Sequence, residues 1–181
     1  ADRPKQLLEI AGKTILEWTL LPFAACKEIE GVIIAATPSI CGETERIVSG
    51  IPSLAGRYRV VPGGKERRDS VRNAIEALPE SAGIVAIHDA VRPFITPALI
   101  AATIAGAEQF GAVTVMRPLK ETVKVVADGI VVKTPDRSTL WITQTPQTFK
   151  REIIAEAHRQ ALEDGITGTD DCMLVERLGY P

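Results

Sequence analysis

A chain of 181 residues, 45% hydrophobic and 24% charged, has a globular composition, enough to bury roughly 70% of its unfolded surface around one core. The formal net charge of −2 argues against a binder of duplex DNA or RNA, which presents a basic face. No apolar run reaches the roughly 18 residues that a membrane span needs. The cysteines, Cys26, Cys41 and Cys172, form no C-x-x-C pair, and only His88 and His158 are at hand to complete a zinc site. Idle thiols in a reducing, cytoplasmic compartment are the expectation.

In chain order, Thr14-Ile15-Leu16-Glu17 has the capping-box spacing and predicts a helix to about Cys26. Gly31 to Thr37 is a short apolar run that predicts a strand buried on both faces, as do Tyr58 to Val61, Gly83 to His88 and Ala112 to Met116. Helices are predicted over about Glu43 to Gly50 and Arg67 to Leu78. Thr96-Pro97 supplies an N-cap and a proline at the first helical position, predicting a helix to about Gln109. Two last helices are expected over Arg151 to Asp164 and Asp170 to Leu178. The alternation predicts an α/β fold with a mostly parallel, Rossmann-like sheet flanked by helices. One segment departs from it: Glu121 to Val126 and Gly129 to Lys133 are β-rich and flank the turn signal Ala127-Asp128-Gly129. A hairpin outside the main sheet is expected there.

Ligands of open α/β sheets bind beyond the carboxyl ends of the strands, which selects His88-Asp89-Ala90-Val91-Arg92-Pro93. Asp89 suits Mg²⁺, which takes carboxylate and phosphate oxygens, and the planar fork of Arg92 suits a phosphate. An ion pair or a turn-capping aspartate is the structural alternative, and His88 is expected to be a strand-end structural residue. Pro62 to Ser70 follows another strand and leads into a helix. Gly63 and Gly64 permit close backbone approach there, and Ser70 on the first turn is placed to meet a nucleobase. Lys5, after Pro4, is a candidate to face a transferring phosphoryl group. Asp136 to Trp141 and Gln144 to Phe149 offer a guanidinium and several hydroxyls that suit a phosphate or a polyol, with Trp141 and Phe149 expected in the core.

Together, Pro4-Lys5-Gln6, then the GGxERxxSV segment from Gly63 to Val71, HDAVRP, ETVK from Glu121, DRSTLW and QTPQTF resemble the 2-C-methyl-D-erythritol 4-phosphate cytidylyltransferase family of isoprenoid biosynthesis. The resemblance runs from Arg3 to about Gly179 and treats residues 1–181 as one nucleotidyltransferase domain with a β-arm at about 119–140. It implies attack of the methylerythritol phosphate oxygen on the α-phosphorus of CTP, with Mg²⁺ as cofactor and no covalent nucleophile. Lys5, Asp89 and Arg92 are the catalytic residues it implies. Gly64, Lys65 and Ser70 would meet the nucleotide, and Asp89, Arg92, Thr122, Arg137 and Thr145 the acceptor. Asp89 is also the metal candidate. In the family the arm crosses to a second subunit, so a homodimer is implied, with Thr122 and Arg137 serving the neighbouring site.

The resemblance also implies a glycine-rich triphosphate loop before Arg3 and a lysine-bearing segment beyond Gly179, so the full protein is expected to extend past both ends of this sequence. Two alternatives stand beside this reading: a ribitol-5-phosphate cytidylyltransferase, which shares PKQ, HDAVRP and QTPQ, and a catalytically silent module of the same fold.

Overall fold

The structure, a computed structural model, describes residues 3–180; the ends of the expected domain at residues 1, 2 and 181 lie outside the described residues. Two helices begin on the start signals that the sequence supplies. Helix α1 (Ile15–Ala25) opens on the capping box: the Glu17 N–H donates to the Thr14 hydroxyl, and the Glu17 carboxylate accepts from the Thr14 N–H. Helix α4 (Pro97–Phe110) opens on Thr96, whose hydroxyl accepts from the Leu99 N–H. Helices α2 (Cys41–Ser49), α3 (Arg67–Glu76), α5 (Arg151–Glu163) and α6 (Asp171–Glu176) lie close to their predicted spans.

Before α1 a small hairpin that the sequence reading does not anticipate joins β1 (Glu9–Ile10) to β2 (Lys13–Thr14). Its turn residues Ala11 and Gly12 both have positive φ (50° and 79°), the backbone that matches the twist of a two-residue hairpin. Strands β3 (Val32–Ala36) and β4 (Tyr58–Pro62) pair in parallel, Val32 opposite Tyr58 through Ala36 opposite Pro62.

The second main group holds β5 (Ile84–Ile87), β6 (Ala112–Pro118) and β9 (Trp141–Lys150), in the order β5-β9-β6. β9 runs antiparallel to both neighbours, so the expectation of a mostly parallel sheet needs correction at this strand. The physical reason is the arm. The chain leaves β6, makes the excursion and returns along the same strand, as an antiparallel connection allows and a parallel one does not. The α/β class with helices against the sheets stands.

The arm closes at its base through the Leu119 N–H to the Leu140 carbonyl (3.0 Å). At its end β7 (Val125–Ala127) and β8 (Ile130–Lys133) pair only with each other, around Asp128 and Gly129 at φ 51° and 77°. The first strand is shorter than the sequence predicts. Every residue of both strands is exposed, so this is a protruding hairpin.

The largest core cluster seats α5 and α6 on β9, with Phe149, Ile154 and Ala157 at 0 to 2% exposure. Trp141 is the other correction. It is 54% exposed at the arm's base, opposite Pro118, where the last residues of β6 are exposed as well. No helix of the described residues is long and apolar enough to cross a membrane.

Candidate functional site

β5 ends at Ile87, and the next residues fold back in a turn closed by the Arg92 N–H to the Asp89 carbonyl (3.2 Å). The turn is fixed by two elements, α1 and β9. The Thr19 hydroxyl of α1 donates to the Ala90 carbonyl (3.0 Å), and the Phe23 ring lies 5.1 Å from the His88 ring. On β9, Thr145 Oγ1 accepts the Asp89 N–H (3.2 Å), which turns its own proton toward His88 Nδ1 (2.8 Å). The far ring nitrogen, Nε2–H, then donates to the Arg92 carbonyl (3.1 Å). Burial pushes the His88 pKa down and so favours the neutral imidazole, whose single proton on Nε2 satisfies both bonds. His88 is structural, as the sequence reading expects.

The turn aims Asp89 and Arg92 into a cleft of about 380 Å³ whose other walls are Arg67, the β9 residues Thr143 to Thr145 and Gln147, and Thr169-Asp170 ahead of α6. The β6–β9 register shifts between the pairs Met116–Thr143 and Thr114–Gln147, so faces do not alternate strictly here and the adjacent residues Gln144 and Thr145 both reach the cleft. Asp89 lies between two guanidiniums: Oδ2 accepts from Arg92 Nε at 2.8 Å and Oδ1 from Arg67 Nε at 3.3 Å. Arg92 Nη1 also donates to the Gln144 carboxamide. Burial favours the protonated form of Asp89, but the Arg92 hydrogen bond and the charges of Arg67 and Arg92 outweigh it and hold its pKa below the usual aspartate value. The ion pair of the structural alternative is therefore present, and Arg92, steered by Asp89, still lines the cleft.

The turn after β4 is shaped by its own side chains. Ser70 Oγ accepts the Gly64 N–H (3.0 Å) and lies 3.2 Å from the Glu66 carbonyl, to which it donates. Its hydroxyl proton is thus committed to the turn, and one acceptor position is left for a ligand. A Cβ on Gly64 would lie 2.1 Å from the Asp69 Cβ, so only glycine fits without a backbone shift. We expect Gly64→Ala to lower stability by about 1–3 kcal/mol, the usual cost of overpacking. Chemical denaturation measures this, and an unchanged midpoint would contradict the packing argument.

Of the sequence candidates, Asp89, Arg92 and Thr145 are brought together in the cleft, while Gly64 and Lys65 on the β4–α3 turn and Ser70 in the first turn of α3 lie outside its lining. Lys5 is exposed on a 3-10 turn over Lys5–Leu7 and does not line the cleft. Thr122 and Arg137 are exposed on the arm. Arg137 donates to the Lys120 carbonyl (3.1 Å), and neither residue lines the cleft of its own chain. Among the described residues no three His, Cys, Asp or Glu side chains cluster as a metal cage. Cys172, beside the cleft's Asp170, is no nucleophile, since burial pushes its thiol up to about 12.

Sequence reasoning assigned no role to Arg67, Gln144, Gln147, Thr169 or Asp170. Arg67 was visible as the arginine of GGxERxxSV and Asp170 as the acidic residue before a short helix, but neither pattern reveals which strand it faces.

The family model described as 2-C-methyl-D-erythritol 4-phosphate cytidylyltransferase, IspD, matches residues 1–181. The enzyme of that name from Symbiobacterium thermophilum is 41% identical over 178 residues, covering 98% of this chain and 73% of the relative. Its counterpart from Caldanaerobacter subterraneus subsp. tengcongensis is 40% identical over 182 residues, covering 97% and 78%. The crystal structure of 4-diphosphocytidyl-2C-methyl-D-erythritol synthase from Anaerococcus prevotii is similar at a TM-score of 0.87 and 30% identity, covering 95% of this chain and 75% of that one. The cytidylyltransferase structure from Thermus thermophilus gives 0.79 at 31% identity, covering 98% and 81%.

Proposed function

This chain belongs to the 2-C-methyl-D-erythritol 4-phosphate cytidylyltransferase family, and we propose that its Asp89–Arg92 cleft is the acceptor side of the reaction centre. The reaction is cytidylyl transfer from CTP to 2-C-methyl-D-erythritol 4-phosphate. An acceptor phosphate oxygen attacks the α-phosphorus, a new P–O bond forms, and the α–β bridge bond breaks to release pyrophosphate. The product is 4-diphosphocytidyl-2-C-methyl-D-erythritol. Both substrates are polyanions, so the chain must supply cations and alignment in place of a nucleophile.

The observation that carries the assignment is Arg92, held by Asp89 and Gln144 with its guanidinium in the cleft. In this reading Arg92 takes the acceptor phosphate, while Asp89 and Thr145 meet the polyol. Gly64, Lys65 and Ser70 take the cytidine, and Lys5 stabilises charge on the α-phosphate. Asp89 would help hold a divalent cation, Mg²⁺, which when bound would supply charge neutralisation to the triphosphate. The donor set suits a cation carried in by the nucleotide: Asp89 is a single carboxylate whose oxygens each accept one guanidinium bond and keep further acceptor capacity. It can take one ligand position, with phosphate oxygens and water filling the rest.

The arm is the proposed homodimer contact. It projects Val126, Ile130, Val131 and Val132 at 54 to 71% exposure, an apolar surface that water penalises and a second subunit would cover. Thr122 and Arg137 would then serve the partner's cleft. Free Cys26, Cys41 and Cys172 fit a cytoplasmic setting.

The test is pyrophosphate release by the full-length gene product with CTP and either acceptor. Methylerythritol phosphate should be preferred over ribitol 5-phosphate by at least about tenfold in kcat/KM, since an acceptor that leaves buried polar groups unpaired is strongly rejected. A preference for ribitol 5-phosphate, or no turnover with either, would overturn the assignment. The relatives favour methylerythritol phosphate.

A further inference from the structure

Arg67 reaches from the first turn of α3, on the nucleotide side, across to the acceptor cleft. Its Nη1 donates to Asp171 Oδ2 at 2.7 Å and its Nε to Asp89 Oδ1 at 3.3 Å. The two carboxylates differ in kind. The Asp89 side chain is 30% exposed, whereas that of Asp171 is 2% exposed. Asp171 is also held on its other flank. His158 Nε2 lies 2.9 Å from Oδ1, and the Asp171 N–H donates to Gln147 Oε1 at 3.0 Å. The Gln147 carboxamide is fixed in turn by donating to Asp170 Oδ2 (2.8 Å), while Asp170 Oδ1 caps α6 through the Met173 N–H.

A carboxylate buried among such donors has nowhere to rotate, and its bond to Arg67 is the shorter of the two. The guanidinium is therefore placed by the buried wall, and Asp89 is placed by the guanidinium. Without Arg67, Asp89 would keep only Arg92, a side chain 40% exposed that shares its own turn, and the pair would turn together. Asp89 would also lose one of the two cations that offset its charge in a cleft built for a phosphate.

We infer that Arg67 and Asp171 are positioning residues for the acceptor: Asp171, gripped by His158 and Gln147, fixes Arg67, which orients the Asp89 carboxylate. Neither forms nor breaks a bond in the reaction. The inference rests on the reading of Asp89 as an acceptor-binding group.

Steady-state kinetics of the full-length protein test it, with Arg67→Met, Arg67→Lys, Asp171→Asn, Asp89→Asn and the double variant Arg67→Met/Asp89→Asn. Arg67→Met should raise KM for methylerythritol phosphate by about tenfold and leave KM for CTP within about twofold. Arg67→Lys should recover part of that loss, because an ammonium meets one carboxylate but does not bridge two at this spacing. Asp171→Asn should show the same split between the two KM values despite its distance from solvent. The double variant should be no worse than Asp89→Asn alone, the non-additivity of residues acting as one unit.

Equal rises in both KM values for Arg67→Met, or effects that multiply with Asp89→Asn, would overturn the inference. Arg67 is partly exposed, so its variants report independently if Asp171→Asn fails to fold. An unchanged acceptor KM and turnover in Asp89→Asn would instead remove the reading of Asp89 on which this rests.

Discussion

Asp89→Asn lowers kcat/KM for methylerythritol phosphate about 100-fold, while thermal unfolding still shows a cooperative transition. That is the expected result, and the reason is charge as much as shape. Asparagine occupies nearly the same volume, but its carboxamide offers one acceptor where the carboxylate offers two. One guanidinium keeps a partner, and the other meets an N–H₂ group, donor against donor. Arg67 and Arg92 now contact Asp89 at 3.3 and 2.8 Å, and one of the two must swing away. A factor of 100 corresponds to about 2.7 kcal/mol, within the range for removing one group that orients or stabilises a transition state.

The pH dependence separates this loss from unfolding. The Asp89 pKa lies below its ordinary value in the fold, so its ion pairs stabilise the protein fully above the unfolded aspartate pKa. They fade only as pH falls through the lower folded value. Wild type and Asp89→Asn should therefore differ by a constant stability increment between about pH 5 and 8, converging only in stronger acid. Denaturant titrations across that range check the sign. Wild-type kcat/KM in the folded variant would sink the assignment.

Lys5→Ala is expected to lower kcat by about 10² to 10³ with a melting temperature near that of wild type. Lys5 is exposed, and its 3-10 turn is anchored by Leu7, 1% exposed among Ala36 and Ile40, together with the Leu7 N–H to Pro4 carbonyl bond at 2.9 Å. Truncating the side chain leaves that anchor untouched, so structural loss and chemical loss part company. Charge stabilisation confined to the transition state appears in kcat with little change in KM for CTP. A Lys5→Ala protein with kcat within about twofold of wild type would remove Lys5 from the mechanism.

Helices were the most legible part of the fold because their signals are local. Thr14 with Glu17 and Thr96 with Pro97 start helices through bonds to residues three positions away, and both form as the spacing requires. The strand Trp141–Lys150 was the least legible. Its residues Thr143, Thr145, Gln147 and Thr148 are polar yet half-buried or buried, so it lacks the apolar run that marks an interior strand. Polarity there serves the cleft: Thr145 bonds His88 and Asp89, and Gln147 bonds Asp170 and Asp171. The feature that hid the strand is the one that lines the site. Trp141 misled for a related reason, since aromatic character signals burial only where another layer covers the strand.

The sequence by itself determined the α/β class, the helix starts, the hairpin turn at Asp128-Gly129 and, through the order of its motifs, the family and its reaction. Each of these depends on residue identities at short spacing or on their succession along the chain. Only the tertiary structure decided that Asp89 lies between two arginines, that β9 inserts between β5 and β6, and that Arg67 is tied to buried Asp171, 104 residues away in sequence. Those facts come from packing and desolvation between distant segments. An aspartate in a sequence carries the same symbol whether it is solvated, paired or buried, and the cost of burying its charge is set only when the surrounding segments meet.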